Sequence, residues 1–228
     1  SSTIPSSSDA SLVDLHIPVL NPGDVQEALD LGRHAIALSR ACGLWTAIKV
    51  VEAVADGSGT VELHPDRIRP VIPTMEVDGA PFVPRPSGRL LTPYTLELER
   101  EFQHVRLELA RRYGVENPLN TVAVAGPSDW VGIVATGHTY HETREALRLL
   151  GLGSDDALRD AGIRLLKLGL PVPLDPALVR RFARGLTEIV VVEEKNPTLE
   201  WFVKDALYAE NDRPVVTGKR APDGTALL

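Results

Sequence analysis

Between residues 130 and 196, three apolar strands alternate with two helices, and this alternation limits the chain to a small set of folds. The predicted strands are residues 131–136, 163–168 and 189–192, each a mainly apolar run of the kind found in strands buried on both faces. Strands separated by helices of this length pair in parallel through right-handed crossovers. The sequence therefore predicts an α/β fold with a parallel, Rossmann-like sheet.

Residues at the ends of these helices support the prediction. Thr139 and Glu142 have the spacing of a capping box at the start of the first helix. Asp175 and Pro176 provide an N-cap and a first-turn proline for a second helix that continues to Gly185. The pair at residues 196–197 (Asn-Pro) predicts a third helix start, and residues 215–217 are expected to return as an edge strand.

The first segment of the chain, residues 1–54, opens polar and then predicts strand, helix and strand. Residues 18–20 form the first strand. Asp24 is a candidate N-cap, with Glu27 three positions later as in a capping box. Gly43 is expected to end the helix, and residues 44–51 read as a buried strand.

Residues 55–126 are rich in proline and glycine, which indicates an extended connector with room for one hairpin. Residues 95–113 are the exception, because apolar residues recur there at helical spacing; Gly114 is expected to end that helix. We therefore expect three segments: residues 1–54, the connector 55–126, and an α/β domain at 127–228.

Composition excludes several classes of function. The net charge of −7 argues against nucleic acid, and no apolar run is long enough to span a membrane. The single cysteine, Cys42, excludes intrachain disulfides and an Fe–S cluster held by several local thiolates. The N-terminus lacks the pattern of a secretion signal, so a cytoplasmic protein is expected.

Gly137 lies between a predicted strand and a helix, where first-turn amides can bind a phosphate. The glycine-rich phosphate-binding patterns are absent, which favours a plain turn. His138 and His141 are three residues apart, a spacing compatible with metal ligation. No third ligand stands at a recognised spacing, so a solvated or interface helix end is favoured and no metal site is assigned.

Glu193 and Glu194 follow a buried strand at its carboxyl end, where open α/β sheets place ligands. Adjacent strand residues point to opposite faces, so the two cannot form a matched acid–base pair. One of them is expected to face an interface or to cap the next helix. Cys42 is expected to be buried packing, and Ser39 stands in no nucleophile-elbow motif. We therefore assign no catalytic residue.

Three phrases carry a family resemblance: VGIVATGHTY at residues 131–140, GIRLLKLGLPVPLDP at 162–176 and FARGLTEIVVVEEK at 182–195. They resemble indolepyruvate ferredoxin oxidoreductases and their fused relatives among the thiamine-diphosphate-dependent 2-oxoacid:ferredoxin oxidoreductases. Residues 213–219 resemble the end of that family's transketolase C-terminal-like domain. Residues 1–5 and 17–32 resemble the later half of its pyrimidine-binding domain, a thiamine-fold α/β domain.

The resemblance implies oxidative decarboxylation of an aryl 2-oxoacid such as indolepyruvate to acyl-CoA, with reduction of ferredoxin. It implies thiamine diphosphate, magnesium and Fe–S clusters as cofactors of the complete enzyme. The sequence contains no multi-cysteine motif, no diphosphate- and magnesium-binding domain and no earlier half of the pyrimidine domain. It therefore implies a fragment or component that is inactive alone and binds no cofactor by itself.

By the same resemblance, Ser1, Ser2 and Thr3 lie near the thiamine pocket. The implied partners are the remaining domains or subunits of the same enzyme, in a homo-oligomer, with ferredoxin and coenzyme A serving the whole enzyme. No nucleic acid and no membrane are expected as partners.

Two alternatives remain open at this stage, a non-catalytic interaction or scaffold module and a small-ligand-binding α/β domain that uses the Gly137 turn. If the first segment is part of a larger sheet, the strand at residues 44–51 should expose apolar surface or be covered by a partner.

Overall fold

The computed structural model describes residues 7–227, and most of the carboxyl-terminal half forms one five-stranded sheet covered by helices. Ser1, Ser2 and Thr3 lie outside the described residues. Within residues 7–227 the strands are β1 (Val19–Leu20), β2 (Ala47–Ile48), β3 (Glu76–Val77), β4 (Ala80–Pro81), β5 (Asn120–Val124), β6 (Val131–Thr136), β7 (Ile163–Leu168), β8 (Glu188–Val192) and β9 (Val215–Thr217).

Helices separate β6, β7, β8 and β9 from one another as the sequence predicts, with one additional short helix, Asp155–Asp160, before β7. Within the same residues the helices are α1 (Asp9–Asp14), α2 (Val25–Cys42), α3 (Glu52–Ala55), α4 (Tyr94–Glu101), α5 (Leu107–Glu116), α6 (His138–Leu149), α7 (Asp155–Asp160), α8 (Pro176–Ala183) and α9 (Thr198–Leu207). None of the helices in the described part of the chain has the length and apolarity needed to cross a membrane.

The main sheet has the strand order β5-β7-β6-β8-β9 and is parallel except at one edge. The α/β prediction is therefore confirmed, including β9 as an edge strand. Strand β5 was not predicted, and it pairs antiparallel with β7. That strand lies before residue 127, where the α/β domain was expected to start. Thr121 and Val122 are exposed and Val124 is buried, so residues 120–124 lack the continuous apolar run of a strand buried on both faces.

Helix α8 begins as predicted, because the Asp175 side chain accepts hydrogen bonds from two first-turn amides and Pro176 is the first helical residue. It ends at Ala183, two residues before the predicted Gly185. The prediction of a capping box at the start of α6 is wrong. Gly137 is the N-cap residue, and the Thr139 hydroxyl instead donates to the carbonyl of Thr136 at 2.7 Å.

A smaller unit formed by β1, β2 and α2 contacts the carboxyl edge of the main sheet. Strands β1 and β2 pair in parallel, and the backbone amide of Val19 donates to the carbonyl of Val172 at 2.9 Å. The Asp24 carboxylate accepts the Glu27 amide at 2.8 Å, and Gly43 ends α2 in the left-handed conformation, as predicted. Only two of the residues at 44–51 form the predicted strand.

Helices α4 and α5 are joined by a π-helical turn, Phe102–Arg106, so the connector contains one long interrupted helix. Strands β3 and β4 form the expected hairpin. Gly114 does not end the helix, which continues to Glu116. A Cβ at residue 114 would lie 2.6 Å from Leu170 Cδ2, so this glycine permits close packing instead. A glycine within a helix costs only about 1 kcal/mol, which packing can offset.

Three apolar clusters hold the fold together. One fills the sheet face under α8 and α9, and another lies between β5, β7, α6 and α7. The third joins α2, α5 and Leu170, and thus ties the smaller unit to the main domain. Cys42 belongs to this third cluster and is fully buried, which confirms its predicted packing role.

Candidate functional site at the carboxyl ends of the strands

The candidate site is a crevice between the carboxyl ends of β6 and β8 and the smaller unit. This is the edge of an open parallel sheet at which ligands usually bind. The loop after β1 reaches it directly, since the Asn21 amide donates to the carbonyl of Gly169 at 2.9 Å. The loop after β1 and the loop after β7 therefore meet at this edge.

The turn at Gly137 is filled by the loop after β1. Gly137 has φ +55°, and a Cβ there would lie 2.4 Å from the side-chain oxygen of Asn21. A Cβ on Gly23 would lie 2.6 Å from the Gly137 carbonyl oxygen. Two glycines thus allow two backbones to touch at the start of α6. This contact takes the space at the turn that a phosphate would need and supports the plain-turn interpretation.

His138 and His141 contact the start of α2 rather than a shared ion. His138 Nδ1 lies 3.1 Å from the Gly23 carbonyl oxygen, and His141 Nε2 lies 3.6 Å from Asp24 Oδ2. Burial, and secondarily Lys167, lower the pKa of His141, so it is neutral at pH 7.

The fold brings carboxylates to His141 that sequence spacing did not reveal. Asp24, Glu27 and His141 offer possible ligand atoms within 4.8 Å of one another. Lys167 already pairs with Glu27 there, and the Asp24 and Glu27 carboxylates also cap α2. The group joins the start of α2 to α6 through Asp24 and His141, and to β7 through the ion pair of Glu27 and Lys167. This arrangement agrees with the interface interpretation, and we assign it no metal.

Glu193 caps α9, as one of the two glutamates was expected to do. Its carboxylate oxygens accept the amides of Leu199 at 2.7 Å and Glu200 at 2.9 Å. Burial raises the pKa of Glu193 above its usual value. The predicted cap at Asn196 is wrong, because no side chain at that position bonds to the helix start. Neither glutamate is placed as half of an acid–base pair.

A small cavity lies in this crevice, with about 30 Å³ of space for water-sized groups. Lys49, just after β2, forms an ion pair with Asp9 at 2.7 Å on its wall. The wall also includes Asn21, Thr136, His138, Thr139, Glu193, Glu194 and Thr198. No sequence motif marks Lys49 or Thr198, and the only signal for Asn21 is its position in a turn sequence before an N-cap.

The implied cofactors do not fit the described residues. An Fe–S cluster needs several accessible thiolates, whereas the one cysteine of the chain is buried in the α2 cluster. The helix start at Gly137, a candidate phosphate site in the sequence, is covered by Asn21. The chemistry of this crevice is therefore that of a polar contact between two units, with one small cavity.

These features define a class: an α/β module with a mostly parallel five-stranded sheet that makes a polar contact with a smaller α/β unit. Residues 120–225 match the family described as "Indolepyruvate ferredoxin oxidoreductase middle domain". The chain belongs to the indolepyruvate ferredoxin oxidoreductase family.

Curated relatives agree over most of the chain. Indolepyruvate oxidoreductase subunit IorA of Methanothermobacter thermautotrophicus is 31% identical over 81% of this chain and 27% of its own length. The subunit of the same name from Pyrococcus horikoshii is 30% identical over 90% of this chain and 30% of its own length. The chain thus spans less than a third of these two relatives.

Solved structures show the same fold at lower identity. A 2-oxoglutarate:ferredoxin oxidoreductase from Magnetococcus marinus, with 2-oxoglutarate, coenzyme A and succinyl-CoA bound, aligns with a TM-score of 0.55 and 18% identity. The alignment covers 88% of this chain and 38% of that one. A split-gene transketolase, described as an inactive β4 tetramer, aligns with a TM-score of 0.50 and 20% identity, over 89% of this chain and 47% of that one.

Proposed function

We propose that this chain is a component of a 2-oxoacid:ferredoxin oxidoreductase of the indolepyruvate type. The family match over the main sheet carries the proposal, and the names of the curated relatives support it. The whole enzyme would convert an aryl 2-oxoacid such as indolepyruvate to acyl-CoA and reduce ferredoxin. Thiamine diphosphate, held with magnesium outside the described residues, would supply the electron sink for the carbanion left by loss of carbon dioxide.

Under this proposal residues 1–54 are part of a pyrimidine-binding domain, residues 55–126 a connector and residues 127–228 a transketolase C-terminal-like domain. Ser1, Ser2 and Thr3 would lie near the thiamine pocket. The Fe–S clusters, and the sites for ferredoxin and coenzyme A, would belong to other domains or subunits of a homo-oligomeric, cytoplasmic enzyme.

The surface of the smaller unit supports a role as a component. A two-stranded sheet is marginally stable alone, and β2 has one strand partner within residues 7–227. Trp45 is 84% exposed and Val50 45% exposed, so the apolar surface expected at residues 44–51 is present. Leu44 itself is buried. We infer that further strands of the same pyrimidine-binding domain cover this surface in the whole enzyme.

Assay of the chain alone tests whether it is a component or a complete enzyme. With indolepyruvate, thiamine diphosphate, magnesium, coenzyme A and ferredoxin supplied, we expect no ferredoxin reduction. We also expect the melting temperature to be the same with and without thiamine diphosphate plus magnesium. Turnover by the isolated chain would overturn the proposal, because the described residues would then contain a complete site.

A further inference from the structure

A second cavity, of about 190 Å³, lies between α1, α5, α9 and the loop after β7. Its walls are mainly carbon, contributed by residues such as Val13 of α1, Leu107 of α5, Pro173 and Leu174 of the loop, and Phe202 of α9. We call it the apolar cavity. It adjoins the polar crevice described above, but the two share no polar lining residue. Concave apolar walls with a few polar groups are typical of a site for a small molecule.

The volume and the walls of the apolar cavity suit one aromatic ring system. In another protein an apolar cavity of about 150 Å³ binds benzene, so about 190 Å³ leaves room for two fused rings. Phe202 is part of the wall, and aromatic rings pack favourably against one another. Helix α1 has no fully buried residue. A ring beneath Val13 would therefore add packing contacts that this helix lacks.

The backbone at His16 is strained, and its side chain lines the apolar cavity. His16 has φ +56° and follows Leu15, the C-cap of α1. The Ile17 amide donates to the Leu12 carbonyl and the His16 amide to the Val13 carbonyl, as in a Schellman motif, where glycine is usual at this position. Glycine would form the turn with less strain, and strained residues cluster at ligand sites. The imidazole thus has a role that the turn itself does not require.

Two polar side chains of the cavity wall select the functional groups of the ligand. The imidazole of His16 and the carboxylate of Asp205 have no hydrogen-bond or ion-pair partner within residues 7–227. Asp205 is exposed, so it marks the open side of the cavity. Its carboxylate accepts hydrogen bonds and repels a second carboxylate. The apolar cavity therefore favours an uncharged ring with an N–H donor over an aryl acid.

We propose that the apolar cavity binds one indole ring, an uncharged pair of fused rings with a single N–H donor. The N–H donates to Asp205, and the ring packs against His16 and Phe202. This site is separate from the 2-oxoacid site of the proposed function, because a 2-oxoacid carries the carboxylate that Asp205 repels. Either proposal can therefore fail without the other.

Calorimetric titration of the chain with indole tests the site. We expect saturable binding of one indole per chain, with a Kd of about 0.1–1 mM for a ligand of this size. Indole-3-acetate should bind at least about fivefold more weakly. Asp205→Asn removes the charge but keeps an acceptor oxygen, so it should retain indole binding and lose most of this preference. No saturable binding of indole, or an unchanged preference in Asp205→Asn, would overturn the proposal.

A matched pair of glycine variants separates a role in binding from a role in folding. His16 and Asp78 both have positive φ, +56° and +52°, and Asp78 is an exposed hairpin residue outside the cavity. His16→Gly and Asp78→Gly should each raise the melting temperature, by up to about 2–4 °C, because both relieve backbone strain. His16→Gly should also weaken indole binding about three- to tenfold, as loss of an aromatic contact does, whereas Asp78→Gly should not. Unchanged indole affinity in His16→Gly would overturn the proposal.

A crystal grown with 5-bromoindole gives a direct readout. We expect an anomalous-scattering peak from bromine inside the apolar cavity, with the ring in contact with Phe202. A peak at another position alone, or no peak at a saturating concentration, would overturn the proposal.

Discussion

Glu193 Oε2 lies 2.7 Å from the backbone nitrogen of Leu199, so the side chain at the end of β8 caps α9. Oε1 of the same carboxylate accepts the next amide, that of Glu200. A negative charge at a helix N-terminus is stabilised by the unpaired amides and the helix dipole. One buried carboxylate thus fixes the position of α9 at the carboxyl edge of the sheet, beside the cavity.

Loss of this cap should destabilise the chain. Glu193→Ala is expected to lower the free energy of unfolding by about 1–2 kcal/mol, since it leaves two amides without their acceptor. Glu194→Ala is the matched control, because the neighbouring glutamate does not cap the helix, and it should cost much less. Urea denaturation at neutral pH measures both variants. Equal losses would contradict the assignment of the cap to Glu193.

The same residue predicts a pH dependence. Burial raises the pKa of Glu193 above its reference value of 4.5, so the folded chain holds this proton more tightly than the unfolded chain. The protonated Glu193 side chain therefore adds to the free energy of unfolding in full below pH 4.5. This contribution is lost as the pH rises through the folded-state pKa. Relative to Glu193→Gln, the parent chain should lose stability from pH 4 toward neutrality. A difference that is constant, or that changes in the opposite direction, would contradict this sign.

A buried ion pair between Arg164 and Asp129 should be important for the main domain. The Arg164 Nε and Asp129 Oδ2 atoms are 2.8 Å apart, and the Asp129 side chain is fully buried. Arg164→Met should cost about 3–5 kcal/mol, because it leaves a buried carboxylate without its counter-charge. The exposed pair of Arg148 and Glu145 provides the control, and Arg148→Met should produce no comparable loss in the same denaturation experiment. Similar losses of stability in Arg164→Met and Arg148→Met would contradict the importance of the buried ion pair.

The close contact between Gly137 and Asn21 can be tested by comparing the stability of alanine variants at two glycines. Both Gly137 and Gly151 have positive φ, +55° and +86°, but a Cβ on Gly151 would meet nothing within 4 Å. Gly151→Ala should therefore cost only the backbone strain, about 1 kcal/mol. Gly137→Ala should cost at least about 1 kcal/mol more, because the added methyl group collides with Asn21 and because the backbone there, at φ +55° and ψ −133°, is nearly restricted to glycine. If the two variants are equally stable, the close approach of the two units is not as the structure shows it.

Much of the main sheet could be predicted because its signals are local. The apolar run of β6 and the Asp175–Pro176 pair identify a strand and a helix start from a few adjacent residues. Strand β5 escaped prediction because it lies at the sheet edge and begins with two polar residues, Asn120 and Thr121, so it has no long apolar run.

The site depends on contacts between residues that are far apart in the sequence. His138 meets Gly23 from 115 positions away, and Asn21 fills the turn at Gly137. No spacing rule covers such pairs. The capping role of one glutamate was predicted because Glu193 lies only six residues before Leu199.

The central claim is that this chain is a component of an indolepyruvate-type oxidoreductase. The most direct test places this chain in the Pyrococcus horikoshii enzyme, where it replaces the matching region of the IorA subunit. The measurement is the rate of ferredoxin reduction by the assembled enzyme with indolepyruvate and coenzyme A. Our account predicts that the exchanged enzyme assembles and turns over indolepyruvate faster than 2-oxoglutarate. Failure to assemble, or an assembled enzyme that does not oxidise indolepyruvate, would contradict it.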